Sequence, residues 1–296
     1  MTDHDDKPRA SSADRRDFLT GAAGLAMAAL VAEQASAGAH TRAPMQLTVE
    51  DKTARPIGEG AVILVTGANR GLGLEFTRQY AERGARIIAT ARKPGKAEEL
   101  NALASANKNI TVEQLDVTDH DEILALAARY EDQPIDLLLN NAGIGGPSSD
   151  QIFGRMNFDT FDQVMAVNVK GPMKMCEAFR KHVRASDHKK MVAVSSSQGS
   201  IASVNSAMLY FYRASKAALN MCMVNLAAQV QRRRMIVGLV TPGATATDFI
   251  PENFRSAIKG LQEPPVATAD MIRNIDRFTV ANTGTFFDYD GTIVPW

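Results

Sequence analysis

AVILVTGANRGLG, residues 61–73, decides the fold. Ala61–Thr66 is an unbroken apolar run that ends in a glycine turn, which reads as a strand buried on both faces. Leu72–Arg83 follows with Leu72, Phe76 and Tyr80 four apart, one stripe of a helix, and Gly84 as its stop. Glycines between strand and helix let the backbone turn tightly and come close to a ligand. The free N–H groups and partial positive charge of a helix start suit phosphate. The spacing is GxxxGxG and no Lys-Ser/Thr follows, so a triphosphate-binding loop is excluded. The reading is therefore a dinucleotide pyrophosphate held at Thr66, Gly67, Asn69, Arg70, Gly71, Leu72 and Gly73.

Working outward, the same alternation repeats. Strands are predicted at Arg86–Thr90, Ile110–Leu115, Ile135–Asn140, Met191–Ser195, Met235–Thr241 and near Thr285–Asp288. Helices are predicted near Lys96–Ala106, Asp119–Tyr130, Asp159–Val183, Ala207–Arg232 and Ala269–Phe278. Strands separated by helices give right-handed crossovers and a parallel sheet covered on both faces. The fold class is thus α/β, a Rossmann-type doubly wound parallel sheet in a single domain over residues 59–296, with ligands at the carboxyl ends of the strands.

Charge after the second strand selects the dinucleotide. A carboxylate there would bond the ribose 2′-hydroxyl and repel a 2′-phosphate. Ala89-Thr90-Ala91-Arg92-Lys93 has none, and Arg70 lies in the glycine turn, so NADP(H) is expected rather than NAD(H). The alternative is that Arg92 and Lys93 are merely a solvated turn. Farther on, Tyr212 and Lys216 stand four apart in a predicted helix and share a face. Free tyrosine has a pKa near 10, so accepting a proton near neutrality needs about 4 kcal/mol of differential stabilisation. A neighbouring ammonium and an oxidised nicotinamide are able to supply it.

Six ordered motifs then carry a resemblance. TGANRGLG at 66–73, Asn140-Asn141-Ala142-Gly143, Asn168 between two valines, Ser195-Ser196-Ser197, Tyr212/Lys216 and Pro242-Gly243 with Thr247 fall in the order found in the short-chain dehydrogenase/reductase family, which the chain resembles from about Ala61 to Trp296. YRASKAALNM at 212–221 and the FDYDG…PW ending are similar to the family's carbonyl-reductase-like branch. The resemblance implies an oxidoreductase that transfers hydride between NADP(H) and a small-molecule carbonyl or alcohol. It implies Tyr212 as proton donor and acceptor, Lys216 on the nicotinamide ribose, Ser196 on the substrate oxygen and Asn168 on a water. Gly199, three residues on, selects Ser196 over Ser195 and Ser197. Asp116 and Val117 would take adenine; Asn141, Ala142 and Gly143 would line the ribose; Pro242, Gly243 and Thr247 would meet the nicotinamide side. Ala244–Pro265, with Phe249, Ile250, Phe254 and Leu261, reads as an apolar lid for a small or medium apolar carbonyl compound. The alternative is a non-catalytic NADP-binding signalling or redox-sensing protein. Family members often pair through two long helices, which leaves a homodimer open.

The start of the chain reads differently. Arg15-Arg16 precedes Phe18–Val31, an apolar run about 21 Å long as a helix, too short for the roughly 30 Å hydrocarbon core. Ala35-Ser36-Ala37 then supplies a small-x-small cleavage site. Residues 1–37 are expected to be a twin-arginine-type export signal without a stable membrane anchor, and 38–58 a linker. That placement is periplasmic; the branch resembled is cytoplasmic, which is the alternative. With 33 basic and 33 acidic residues the chain has no net charge, so nucleic acid is not the expected partner. Two cysteines exclude a disulfide framework, and the five histidines lack ligand spacing, so no metal is predicted.

Overall fold

The computed structural model describes residues 54–296 apart from Met208 and Pro251. The expected export signal, and the expected linker up to residue 53, lie outside the described residues. Along the chain come β1 (Val62–Val65), α1 (Gly71–Glu82), β2 (Arg86–Ala91), α2 (Glu98–Ala106), β3 (Ile110–Gln114), α3 (His120–Arg129) and β4 (Leu137–Asn140). Then come α4 (Phe158–Met165), α5 (Gly171–Ala178), α6 (Arg180–Ala185), β5 (Lys190–Val194), α7 (Tyr210–Val230), β6 (Ile236–Val240), α8 (Glu252–Arg255), α9 (Pro264–Arg277) and β7 (Phe286–Phe287).

The strands form one parallel sheet in the order β3-β2-β1-β4-β5-β6-β7. The order reverses between β1 and β4, so their carboxyl ends open side by side into a crevice. Successive side chains of a strand face opposite sides. Ile63 and Val65 therefore pack with Phe76, Tyr80, Ile272 and Ile275 on one face, while Val62 and Leu64 pack with Ile123, Phe179, Leu219 and Met223 on the other.

Four departures from the sequence reading have physical causes. The stretch read as a linker ends inside the body: Ile57 is fully buried, and its N–H donates to the Asp276 carboxylate at 2.9 Å. Burying that side chain stabilises the fold by about 1.5–3 kcal/mol, so the folded unit starts before residue 59. The helix expected over 159–183 is interrupted by a π-turn, Ala166–Lys170, and again at Phe179. α7 starts at Tyr210 rather than Ala207, because Leu209 takes the left-handed conformation at φ 50°. α9 starts at Pro264, five residues before Ala269: prolines that break a helix interior fit its first turn, where N–H groups lack partners anyway.

Candidate active site

The glycine turn is braced from below. The Thr66 hydroxyl accepts the N–H groups of Asn141 and Ala142, each at 3.0 Å. The Asn141 amide donates back to the carbonyls of Thr66 (2.9 Å) and Gly67 (3.1 Å). These bonds tie the ends of β1 and β4 together at the switch point. A Cβ on Gly73 would lie 2.1 Å from the Gly67 carbonyl oxygen, so no side chain fits there. Gly71 differs: φ is +54°, and a Cβ there would meet only Thr247, no closer than 3.6 Å. That approach to bare backbone at the start of α1 is what a pyrophosphate requires, and the turn fits a dinucleotide. Asn69 and Leu72 are half-buried beside it, and Arg70 is exposed.

Asn168 lies in the π-turn and is fully buried. Single π-turns inside helices recur at functional sites because they widen the helix and re-aim one residue. The Asn168 side chain accepts from the Ile144 N–H and donates to the Ile144 carbonyl, both at 2.8 Å, and donates to the Ser215 hydroxyl at 2.9 Å. A Cβ on Gly143 would lie 3.4 Å from Asn168 Oδ1 and 3.5 Å from Lys216 Nζ, so these three residues converge.

Beyond β5 the chain makes a tight turn, Ser197–Gly199, docked on α7. A Cβ on Gly199 would stand 2.8 Å from the Lys216 main chain, so glycine lets the turn touch the helix. Ser195 is buried and bonded to Asn220 at 2.5 Å, whereas the Ser196 hydroxyl accepts the Gln198 N–H at 3.2 Å and lies close enough to the Tyr212 phenol to lower its pKa. Burial pushes the Tyr212 pKa up to about 12, against the lowering effect of Ser196. Lys216 Nζ donates to the Val194 carbonyl at 2.9 Å and lies 5.7 Å from the centre of the Tyr212 ring. Burial pulls its ammonium down to about 8. In the protein alone desolvation dominates, the lowering contribution comes from Ser196, and the expected acidification of Tyr212 by Lys216 is absent.

A strap after β6 covers the crevice. Gly243 turns at φ +68° against the Tyr289 ring, beside Pro242. Thr247 stands over Gly71, and Asp248 forms an ion pair with Arg70; both partners are about two-thirds exposed. Arg70 therefore faces a carboxylate from its own chain. Phe249 packs on Tyr212 with ring centres 4.8 Å apart and comes against Gly145. Arg92 is exposed at the end of β2. Asp116, past β3, spends Oδ1 on the N–H and hydroxyl of Thr118, and Val117 is buried against Gly171. Sequence reading missed Ser215, Gln151 and Asp248 here. Ser215 was legible only as part of the YRASK run; a lone Gln or Asp in a loop carries no periodic signal.

Comparison with known proteins follows the same lines. A family model described as short chain dehydrogenase matches residues 61–257. The 1-hydroxy-2-glutathionyl-2-methyl-3-butene dehydrogenase of Rhodococcus sp. (strain AD45) is 32% identical over 239 residues, covering 80% of this chain and 100% of that protein. Among solved structures, the NADPH-bound carbonyl reductase from chicken fatty liver superposes with a TM-score of 0.74 at 26% identity, over 80% of this chain and 100% of that one. A short-chain dehydrogenase/reductase of Burkholderia multivorans with bound NADP gives a TM-score of 0.70 at 30% identity, with the same coverage.

Proposed function

The chain belongs to the short-chain dehydrogenase/reductase family of oxidoreductases, and from that membership we propose that it is an NADP(H)-dependent reductase of small apolar carbonyl compounds. The observation that carries this reading is the meeting of Ser196, Tyr212 and Lys216, with Asn168 and Gly143 beside the lysine. Thr66, Gly67, Asn69, Arg70, Gly71, Leu72 and Gly73 would hold the pyrophosphate side. Arg92 would face the 2′-phosphate, Asp116 and Val117 the adenine, and Asn141, Ala142 and Gly143 the ribose. Pro242, Gly243 and Thr247 would face the nicotinamide side.

NADPH, when bound, supplies the hydride for reduction, and NADP+ accepts one in the reverse direction. Tyr212 gives its phenolic proton to the carbonyl oxygen. Ser196 donates a hydrogen bond to that oxygen, where negative charge develops. Lys216 offers an ammonium to the ribose, favours the phenolate left behind and then passes it a proton. Asn168, clamped by its side chain, keeps its main chain in the widened turn, where we place the water that reprotonates Lys216. Phe249 closes over Tyr212 and favours apolar substrates.

The test is NADPH oxidation against a panel of aldehydes and ketones. Turnover is expected with the wild type and a loss of at least ~1,000-fold with Tyr212→Phe, because proton transfer and its orientation are removed together. NADPH binding should stay within about threefold, since the other cofactor contacts remain. Full activity in that variant would end this reading. The leader at residues 1–37 supports export by the twin-arginine route. Lysines at Arg15 and Arg16 should then keep the protein in the cytoplasm.

A further inference from the structure

Helix α7 has no N-terminal cap of its own. Leu209 precedes it in the left-handed conformation, and no side chain caps it locally. The first N–H groups of a helix have no partner within it, and buried ones need an acceptor. The second and third residues of α7, Phe211 and Tyr212, donate theirs to one atom, Gln151 Oε1, at 2.9 and 3.2 Å. Gln151 is 2% exposed and comes from the turn Ser148–Gln151, 60 residues before Phe211. Its Nε2 donates to the carbonyls of Gly145 (2.9 Å) and Pro147 (3.3 Å). Both ends of the amide are therefore used. The same loop is pinned to α7 a second time, through Ile144, Asn168 and Ser215. Two fixings one helical turn apart set both the position and the rotation of the helix that carries Tyr212.

We propose that Gln151 is a positioning residue for Tyr212. It caps the helix in trans and holds the phenol in register with Ser196. This inference rests on the reading of Tyr212 as proton donor. Its signal is invisible along the chain, because a cap normally precedes its helix directly.

The test compares Gln151→Met, of similar length without hydrogen-bonding groups, with Gln151→Glu, which keeps an acceptor. Each protein is measured for NADPH binding, kcat, KM and amide hydrogen exchange. In Gln151→Met, exchange should speed up at the start of α7 alone. Its kcat should fall about 20-fold, with KM and NADPH affinity within about threefold, because a displacement near 1 Å suffices for such a loss. Gln151→Glu, whose buried carboxyl is held protonated and so both accepts from α7 and donates to a loop carbonyl, should restore protection and bring kcat back to within about fivefold of wild type. Unchanged exchange in Gln151→Met would overturn the proposal. So would kcat within twofold of wild type, or a loss of kcat matched by an equal loss of NADPH-binding sites. Exchange does not depend on turnover: an inactive wild type would sink the reductase reading, whereas unchanged exchange would sink this one.

Discussion

Tyr212 begins far from the acidity its proposed role demands. Burial holds its phenol at about 12, so bringing it to neutrality requires roughly 7 kcal/mol of differential stabilisation. Lys216, itself pulled down to about 8, is still mostly charged at pH 7 and loses that charge above 8. The remaining push has to come with the cofactor. Bound NADP+ is therefore expected to lower the titration midpoint of Tyr212 below the ordinary value near 10, read by ultraviolet difference against Tyr212→Phe. An unmoved midpoint would count against the mechanism. Arg92 and Arg70 are the residues we propose to set cofactor preference at the same scale. Arg92→Asp should raise the KM for NADPH at least ~tenfold and favour NADH in steady-state assays. Asp248→Asn should tighten NADPH binding by no more than about fivefold in titrations, because an exposed ion pair is worth only about 0–1 kcal/mol.

At the level of elements, the π-turn at Ala166–Lys170 is the least ordinary piece. Its buried Asn168 side chain makes three hydrogen bonds, and each group left unpaired and buried costs about 1–3 kcal/mol. Asn168→Ala should thus lower Tm by roughly 4–10 °C, measured calorimetrically, beyond any effect on rate. The turn was not legible: Asp159–Val183 keeps helical periodicity through it, and an inserted residue leaves no mark in the pattern. The first strand and its glycine turn were legible because apolar run, glycines and helix stripe agree over residues 61–83. Ser196 was selected over Ser195 and Ser197 through Gly199, whose missing side chain lets the turn meet Lys216. The strap was legible as apolar but not as an ion-paired cover, since nothing local links Asp248 to Arg70.

For the whole molecule, charge buried away from the crevice matters too. Lys190, at the start of β5, donates to the carbonyls of Ile275 and Asp276 at the end of α9, and burial pulls it down to about 8. Lys190 and Lys216 both bind protons less tightly folded than unfolded, where the pKa is near 10.5. Between pH 8 and 10 the unfolded chain keeps protons that the fold has lost, so stability rises with pH there. Tyr212 and Tyr80 act oppositely above pH 10, because the fold keeps their protons longer. Urea midpoints across this range check both limbs, and Lys190→Met should flatten the first.

The most direct test follows the label. NADPH deuterated on the transferable position is mixed with enzyme and an apolar ketone for a single turnover, and the product is weighed by mass spectrometry. One deuterium at the former carbonyl carbon is expected with the wild type, and none on the same timescale with Tyr212→Phe still saturated with cofactor. Unlabelled product from the wild type, or transfer at the wild-type rate without the phenol, would contradict the account.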